Sequence, residues 1–176
     1  MSQAYRAIAC IQKTHGRNGE VVVVPTHGLP LLLHAGLDVV VVPPALKGPR
    51  HFNVMSCVDA RGGQLIALEG IQSIGQAAKL VGKTLLARVA DLPRDYMLHD
   101  VDGLVGREVV DATRGLLGEI CEVMRGPAHD VWVVRGGHGE VLIPVVESMV
   151  RAWEKDGPVM VDLPRGLVKE DADDTL

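Results

Sequence analysis

The sequence is poor in aromatic residues and cysteine, and it lacks any long apolar run. Aromatics are 3% of the chain although 47% is hydrophobic, so any core must be built from aliphatic side chains. Valine is clustered in short runs, and β-branched residues favour strands. No apolar run reaches the roughly 18 residues of a membrane helix, and the N-terminus lacks the basic-then-apolar order of a signal peptide. We therefore expect a β-rich cytoplasmic protein with no membrane partner.

The residues that usually carry catalysis or bind metals are scattered. Cys10, Cys57 and Cys121 lie far apart with no Cys-x-x-Cys pair, which predicts buried free thiols in a reducing compartment. The seven histidines show neither i, i+4 spacing nor a neighbouring cysteine at zinc-site spacing. A Gly-x-Ser-x-Gly motif is absent, and a P-loop-like segment at 77–84 lacks its first glycine. We expect no catalytic residue, no metal and no cofactor.

Charge is distributed unequally between the two halves of the chain. Residues 1–93 contain nine Lys and Arg and five Asp and Glu, a net charge of +4. Residues 94–176 contain nine and seventeen, a net charge of -8. A basic half suits phosphate and an acidic half suits a basic protein partner, although ordinary solvated charge is the simpler alternative.

The first half predicts six short strands with few helices. The predicted strands are Ala4–Ile11, Glu20–Val24, Asp38–Val42, His51–Asp59, Gln64–Glu69 and Lys83–Val89. Short helices are expected at Leu29–Ala35 and at Ser73–Leu80, where Ser73 is a suitable N-cap. This pattern favours a small closed barrel, since closure removes exposed strand edges.

The second half is again strand-rich and follows a charged, proline-containing linker. Its predicted strands are Arg107–Asp111, Gly118–Arg125, Asp130–Arg135, Glu140–Ile143 and Val159–Leu163, with 145–151 open as a helical turn or a strand. Residues 169–176 are acidic and poor in apolar residues, which predicts a disordered tail. We predict a first domain at 1–90, a linker at 91–100, a second domain at 101–168 and the tail.

The loop between the first two strands combines charge with turn residues. It carries Lys13, His15 and Arg17 as candidate contacts to RNA or the ribosome. Gly16 and Gly19 can adopt positive φ at little cost, so we predict them to be structural turn residues.

Motifs in both halves resemble the ribosome maturation factor RimM family. In the first half the resemblance is carried by His15-Gly16 and by Gly19-Glu20-Val21. In the second half it is carried by Val105–Asp111, Leu117–Ile120, Gly126–Val134, Glu140–Pro144 and Asp162–Leu167. The resemblance implies an all-β fold of two small β-barrels, a translation-protein-like N-terminal barrel and a C-terminal PRC barrel, with a few short helices.

The resemblance also implies a function without catalysis. A RimM-like protein would be a monomer that assists late assembly of the small ribosomal subunit head and maturation of its rRNA. It would bind the subunit precursor through small-subunit ribosomal protein nineteen, chiefly with its PRC-barrel half. The candidate residues for that contact are Tyr96, Met97, Asp100, Asp130, Trp132 and Pro144.

Two alternatives stay open at this level. One is a general RNA-binding β-barrel that acts through Lys13, His15 and Arg17, with direct rRNA contact as a variant of the first interpretation. The other is an enzyme with an unrecognised site, which no motif favours. The strand pattern around Trp132 predicts a core position, and only an exposed indole would act as a partner anchor.

Overall fold

The computed structural model describes residues 4–169, which form two compact units. The units divide between Tyr96 and Met97, and each has one six-stranded sheet and its own hydrophobic core. This architecture confirms the predicted all-β fold class. The described helices include none that is long and apolar enough to span a membrane. The predicted tail beyond Lys169 lies outside the described residues, and the predicted domain bounds stay a prediction.

The first unit is a closed barrel whose strands match the predicted pattern. Its strands are β1 (Tyr5–His15), β2 (Glu20–Pro25), β3 (Asp38–Val42), β4 (His51–Ala60), β5 (Gly63–Leu68) and β6 (Thr84–Arg88). They pair in the order β1-β2-β5-β4-β3-β6, and β6 pairs back to β1. Val21 and Val23 of β2 are fully buried while Val22 and Val24 are not, because successive side chains of a strand point to opposite faces.

The two helices predicted in this unit have different outcomes. Helix α1 (Ile74–Ala78) forms, and the Ser73 side chain caps it by accepting from the Gln76 N–H at 3.3 Å. The helix predicted at Leu29–Ala35 is wrong, because this segment has no helical turn. Three of its four leucines, Leu29, Leu32 and Leu33, pack on the barrel core instead, and the Gln64 side chain donates to the Leu33 carbonyl at 3.1 Å. Seven residues containing a proline are too few to sustain a helix against that burial.

The second unit contains a short helix and a curled sheet. It begins with α2 (Val101–Leu104) and continues with β7 (Glu108–Asp111), β8 (Gly115–Met124), β9 (Val131–Gly136), β10 (Gly139–Pro144), β11 (Val150–Ala152) and β12 (Val159–Val161). The sheet order is β10-β9-β8-β7-β12-β11, with β12 parallel to β7. Val141 of β10 and Val150 of β11 share one core although their strands are the two ends of the sheet, so the sheet curls around that core.

Two local features differ from the sequence expectation. The predicted linker at 91–100 contains a 3-10 helix, Arg94–His99, and a second one, Val89–Asp91, ends at its first residue. Cys121 is exposed rather than buried, whereas Cys10 and Cys57 are half-buried. Ile120 points into the core at 1% exposure, so strand alternation directs the neighbouring Cys121 to the opposite, solvent-facing side.

Candidate partner-binding surfaces

The β1–β2 hairpin presents its charged side chains to solvent. His15 pairs with Glu20, and the turn between them has Gly16 at φ +62° and Gly19 at φ +90°. Lys13, His15 and Arg17 are all exposed. Gly19 is buried, and a Cβ there would lie 2.5 Å from the carbonyl oxygen of Ile71. The chain before α1 therefore supports the hairpin from behind and leaves the cations accessible.

The candidate residues at 96–100, where the chain passes from the first unit into the second, are half-buried or buried. Tyr96 is half-buried and packs against the core of the first unit. Met97 is half-buried, whereas Leu98 is part of the core of the second unit. Asp100 is buried at 8% exposure, and its carbonyl accepts the N–H groups of Gly103 and Leu104 as α2 begins. Asp100 is therefore tied to the start of this helix.

Asp130 connects the segment before α2 to the loop before β9. Its Oδ2 accepts from His99 Nδ1 at 2.8 Å and from Arg125 at 2.5 Å. Arg125 also donates to the His99 carbonyl at 3.0 Å, which closes a three-residue network. The Asp130 carbonyl accepts the N–H of Val145, directly after β10. Asp130 is 6% exposed, so it is a positioning residue rather than a broad contact surface.

Trp132 is a core residue and not an exposed anchor. Its side chain is fully buried, and its indole N–H donates to the Leu98 carbonyl at 3.4 Å. The core interpretation of the β9 pattern is confirmed, and the candidate role of Trp132 as a direct contact is wrong, because no indole surface is available to a partner. Pro144, at the end of β10, is half-buried and pairs with Val131.

Asp111 organises a second buried network that motif analysis does not single out. Its side chain has no exposed surface, and its Oδ1 accepts the Thr113 N–H at 3.1 Å and the Arg114 N–H at 2.9 Å. Arg114 Nη1 lies 3.3 Å from the same oxygen, and the Leu163 N–H donates to Oδ2 at 2.9 Å. Burial by itself raises the pKa of Asp111, but these backbone and guanidinium donors outweigh it and lower the pKa below its usual range.

An acidic strip runs across the exposed face of β7 and β8. It consists of Glu108, Glu119 and Glu122, all exposed. Glu108 and Glu119 are directly opposite each other in the antiparallel pairing. The nearest basic residue in that register, Arg135, is bound by Glu140 through two hydrogen bonds of 2.9 and 3.0 Å. Sequence reasoning missed this strip because strand register, which brings the two carboxylates together, is not written in any local motif.

The fold and these surfaces define a class: a two-unit all-β protein with a basic hairpin on one unit and an acidic strand face on the other. Among residues 4–169, no three His, Cys, Asp or Glu side chains are grouped so that they could hold a metal ion. The pKa of Cys57 is raised by burial and by the nearby Asp59, which disfavours the reactive thiolate.

Comparison with known proteins assigns the family. A model described as the RimM N-terminal domain matches residues 7–92, and one described as the RimM PRC barrel domain matches residues 101–167. The chain is 31% identical to ribosome maturation factor RimM of Chlorobium phaeobacteroides, covering 88% of this chain and 92% of that protein. It is 30% identical to RimM of Lacticaseibacillus casei, covering 96% and 98%. The chain belongs to the RimM family.

Two solved structures are also similar. A RimM protein of Pseudomonas aeruginosa is 21% identical with a TM-score of 0.42, over 92% of this chain and 98% of that one. The N-terminal domain of RimM from Thermus thermophilus is 21% identical with a TM-score of 0.41, over 51% and 94%. The family assignment depends on the sequence matches.

Proposed function

We propose that this protein assists late assembly of the small ribosomal subunit head and maturation of small-subunit rRNA by binding small-subunit ribosomal protein nineteen. Membership of a family whose relatives are named ribosome maturation factors supports a ribosomal role. The finer proposal, a protein partner bound by the second unit, depends on the surface chemistry of that unit. In this proposal the protein acts in the cytoplasm as a monomer and holds its partner without catalysis.

The acidic strip is the observation that carries the proposal. Like charges directly opposite each other on neighbouring strands destabilise a sheet, by an amount within the roughly 0.2–1 kcal/mol of cross-strand pairs. Glu108 and Glu119 are such a pair, and both are exposed, so the fold does not need their charges. A basic partner would neutralise them and relieve the repulsion. This is the electrostatic complementarity expected of a surface that binds a basic ribosomal protein.

A pair of neutralising substitutions tests the acidic strip. Glu108→Gln alone should raise the free energy of unfolding by about 0.2–1 kcal/mol, because it removes the cross-strand repulsion and leaves Glu119 opposite Arg135 of β9; the variant used for binding adds Glu119→Gln. This double variant should associate several-fold more slowly with the head protein and with small-subunit precursors, and with a weaker salt dependence. Glu147→Gln with Glu154→Gln is the matched control, because both residues are exposed on the same unit and lie outside the strip.

Two outcomes of these experiments would contradict the proposal. Equal association by the two variants would mean that the strip does not contact the partner. Absence of precursors or head protein from pull-downs with the unmodified chain would remove the ribosomal-protein hypothesis altogether.

The remaining candidates take narrower parts in this proposal. Tyr96 and Met97 are half-buried and offer limited apolar contact to the partner. Asp100 and Asp130 are buried and hold the chain before α2 and before β9 in place. Pro144 is next to that chain, because the N–H of the following residue, Val145, donates to the Asp130 carbonyl. Substitution of Asp100, Asp130 or Pro144 should weaken partner binding only to the extent that it displaces this part of the chain.

The exposed hairpin supports a second candidate function, general RNA binding through Lys13, His15 and Arg17. It predicts binding to bare RNA that weakens steeply with salt and falls when Lys13 and Arg17 become alanine. The first unit lacks a strong stacking platform among its described residues, since Phe52 is buried and Tyr96 packs against the core, which leaves Tyr5 as a single exposed ring. Unchanged RNA affinity in the double variant would rule out this function for the hairpin.

A further inference from the structure

A cavity of about 590 Å³ opens on the second unit and shares no lining residue with the acidic strip. It lies between the β7–β8 turn, the β9–β10 hairpin and the chain that follows β12. Its described lining residues are Thr113, Arg114, His138, Leu163, Arg165, Val168 and Lys169. We call it the basic pocket, because three of these seven residues are Arg or Lys and none is Asp or Glu.

The basic pocket has a rigid base and an open, charged rim. Leu163 and Val168 are buried at 5% and 1% exposure, so they form an apolar floor. Arg114 is fixed against this floor, since its Nη1 lies 3.3 Å from the Leu163 carbonyl and 3.3 Å from Asp111. Arg165 and Lys169 are exposed. The pocket therefore combines a shaped concave surface with cations that reach into solvent.

The charges of Arg165 and Lys169 are not compensated within the described chain. Arg114 faces the carboxylate of Asp111, which cancels most of its charge. Within residues 4–169, neither Arg165 nor Lys169 forms a salt bridge, whereas Arg151 on the same unit pairs with Asp162 at 2.8 Å. The half of the chain that contains the pocket carries a net charge of -8, so a local group of cations runs against its overall charge.

We propose that the basic pocket binds a phosphate group of an RNA strand. A guanidinium presents a planar fork that matches phosphate oxygens, a lysine ammonium adds a mobile point charge, and the Thr113 hydroxyl offers a further donor. The cavity is larger than one phosphate needs and its rim is open, which suits a polymer that continues past the site. The proposal deepens the proposed function, on which it rests, because an assembly factor on the small subunit meets rRNA phosphates.

The test measures binding of a single-stranded RNA oligonucleotide to the full chain over a range of salt concentrations. Arg165→Ala with Lys169→Ala should flatten the slope of log affinity against log salt by about 1.4, or about 0.7 for each lost phosphate contact, and weaken binding roughly 20-fold at about 0.1 M salt. Arg165→Lys with Lys169→Arg should keep most of the slope. The matched control is Arg135→Ala with Lys155→Ala, which removes the same charge from exposed positions outside the pocket.

Three further measurements discriminate between sources of binding. In a chain that already carries Lys13→Ala with Arg17→Ala, the pocket substitutions should still reduce the salt-dependence slope of RNA binding by the same amount. Inorganic phosphate should compete only at millimolar concentration, and tight binding of free phosphate would overturn the RNA assignment. The four acidic residues that follow Lys169 in the sequence oppose a polyanion, so their amide variant should bind RNA more tightly; weaker binding would contradict the proposal.

The pocket and the proposed function can fail separately. If the pocket variant and the control variant lose RNA affinity equally, the pocket is not an RNA-binding site. This conclusion holds whether or not the protein associates with small-subunit precursors. If precursor association is absent while the pocket variant loses RNA affinity selectively, the proposed function fails and the pocket remains an RNA site.

Discussion

Asp111→Asn should destabilise the second unit by about 3 kcal/mol. The carboxylate is fully buried and accepts four hydrogen bonds, three from backbone N–H groups and one from Arg114. An asparagine can keep its oxygen at one end but must direct its NH2 group at the Leu163 N–H, leaving a buried donor unpaired at a cost of about 1–3 kcal/mol. Loss of the charge weakens the other three bonds, and breaking a buried ion pair typically costs about 3–5 kcal/mol.

Tryptophan fluorescence measures this effect selectively. Both tryptophans, Trp132 and Trp153, lie in the second unit, so denaturation followed by tryptophan emission reports that unit alone. For a unit of this size, a loss of about 3 kcal/mol lowers Tm by roughly 15 °C. Asp162→Asn is the matched control, because its pair with Arg151 is 44% and 57% exposed and should be worth no more than about 1 kcal/mol.

The same substitution has a defined pH dependence. In the folded protein, burial acts to raise the pKa of Asp111, but the hydrogen bonds from backbone N–H groups and from Arg114 outweigh it, so the pKa is lowered. Its contribution to stability is therefore complete above the unfolded pKa of about 3.9 and is lost as pH falls through the lower folded value. The difference between the unmodified chain and Asp111→Asn should be constant above about pH 5 and shrink below about pH 4. A loss no larger than that of Asp162→Asn, or a difference that grows on acidification, would refute this account.

Three further substitutions test backbone conformation and packing in the separate units. Gly16→Ala should cost about 1–2 kcal/mol for the left-handed backbone, whereas Gly19→Ala should cost clearly more because its Cβ would also meet the Ile71 carbonyl at 2.5 Å. Equal losses in thermal unfolding followed by circular dichroism would contradict the supporting role of Ile71. Trp132→Phe should lower the free energy of unfolding by about 2 kcal/mol, because it leaves a cavity in the core and removes the hydrogen bond to the Leu98 carbonyl. An unchanged midpoint of unfolding, followed by near-ultraviolet circular dichroism, would contradict this role of Trp132.

Local pattern was sufficient for the strands and for the short reversals between them. Runs such as 21–24 alternate between buried and half-buried positions, because period-2 geometry acts residue by residue. The Ser73 cap was equally local, since its oxygen accepts from a group three residues ahead. The leucine-rich segment 29–35 was predicted wrongly because its conformation depends on distant partners. The backbone of this segment is bound by the Gln64 side chain, and its buried leucines pack on the barrel core, so both contacts come from residues far away in the sequence.

The candidate surfaces divide in the same way. The hairpin with Lys13 and Arg17 could be identified from sequence, because one loop holds all its residues. The pairing of Glu108 with Glu119 could not, since it depends on strand register with a bulge in β8. Cys121 was misplaced because it was judged by the apolar character of its strand, whereas its exposure depends on which strand face packs on the core, and Ile120 beside it takes the core position.

The sequence by itself determined an all-β chain, a basic first half, an acidic second half and the motifs of its family. Those properties are local or additive, so composition and short-range pattern are enough to state them. Only the tertiary structure decided that Asp111 and Asp130 are buried network centres, and that Arg165 and Lys169 share the rim of one pocket. Each of these depends on bringing together residues distant in the chain, which packing and strand register achieve and no single segment encodes.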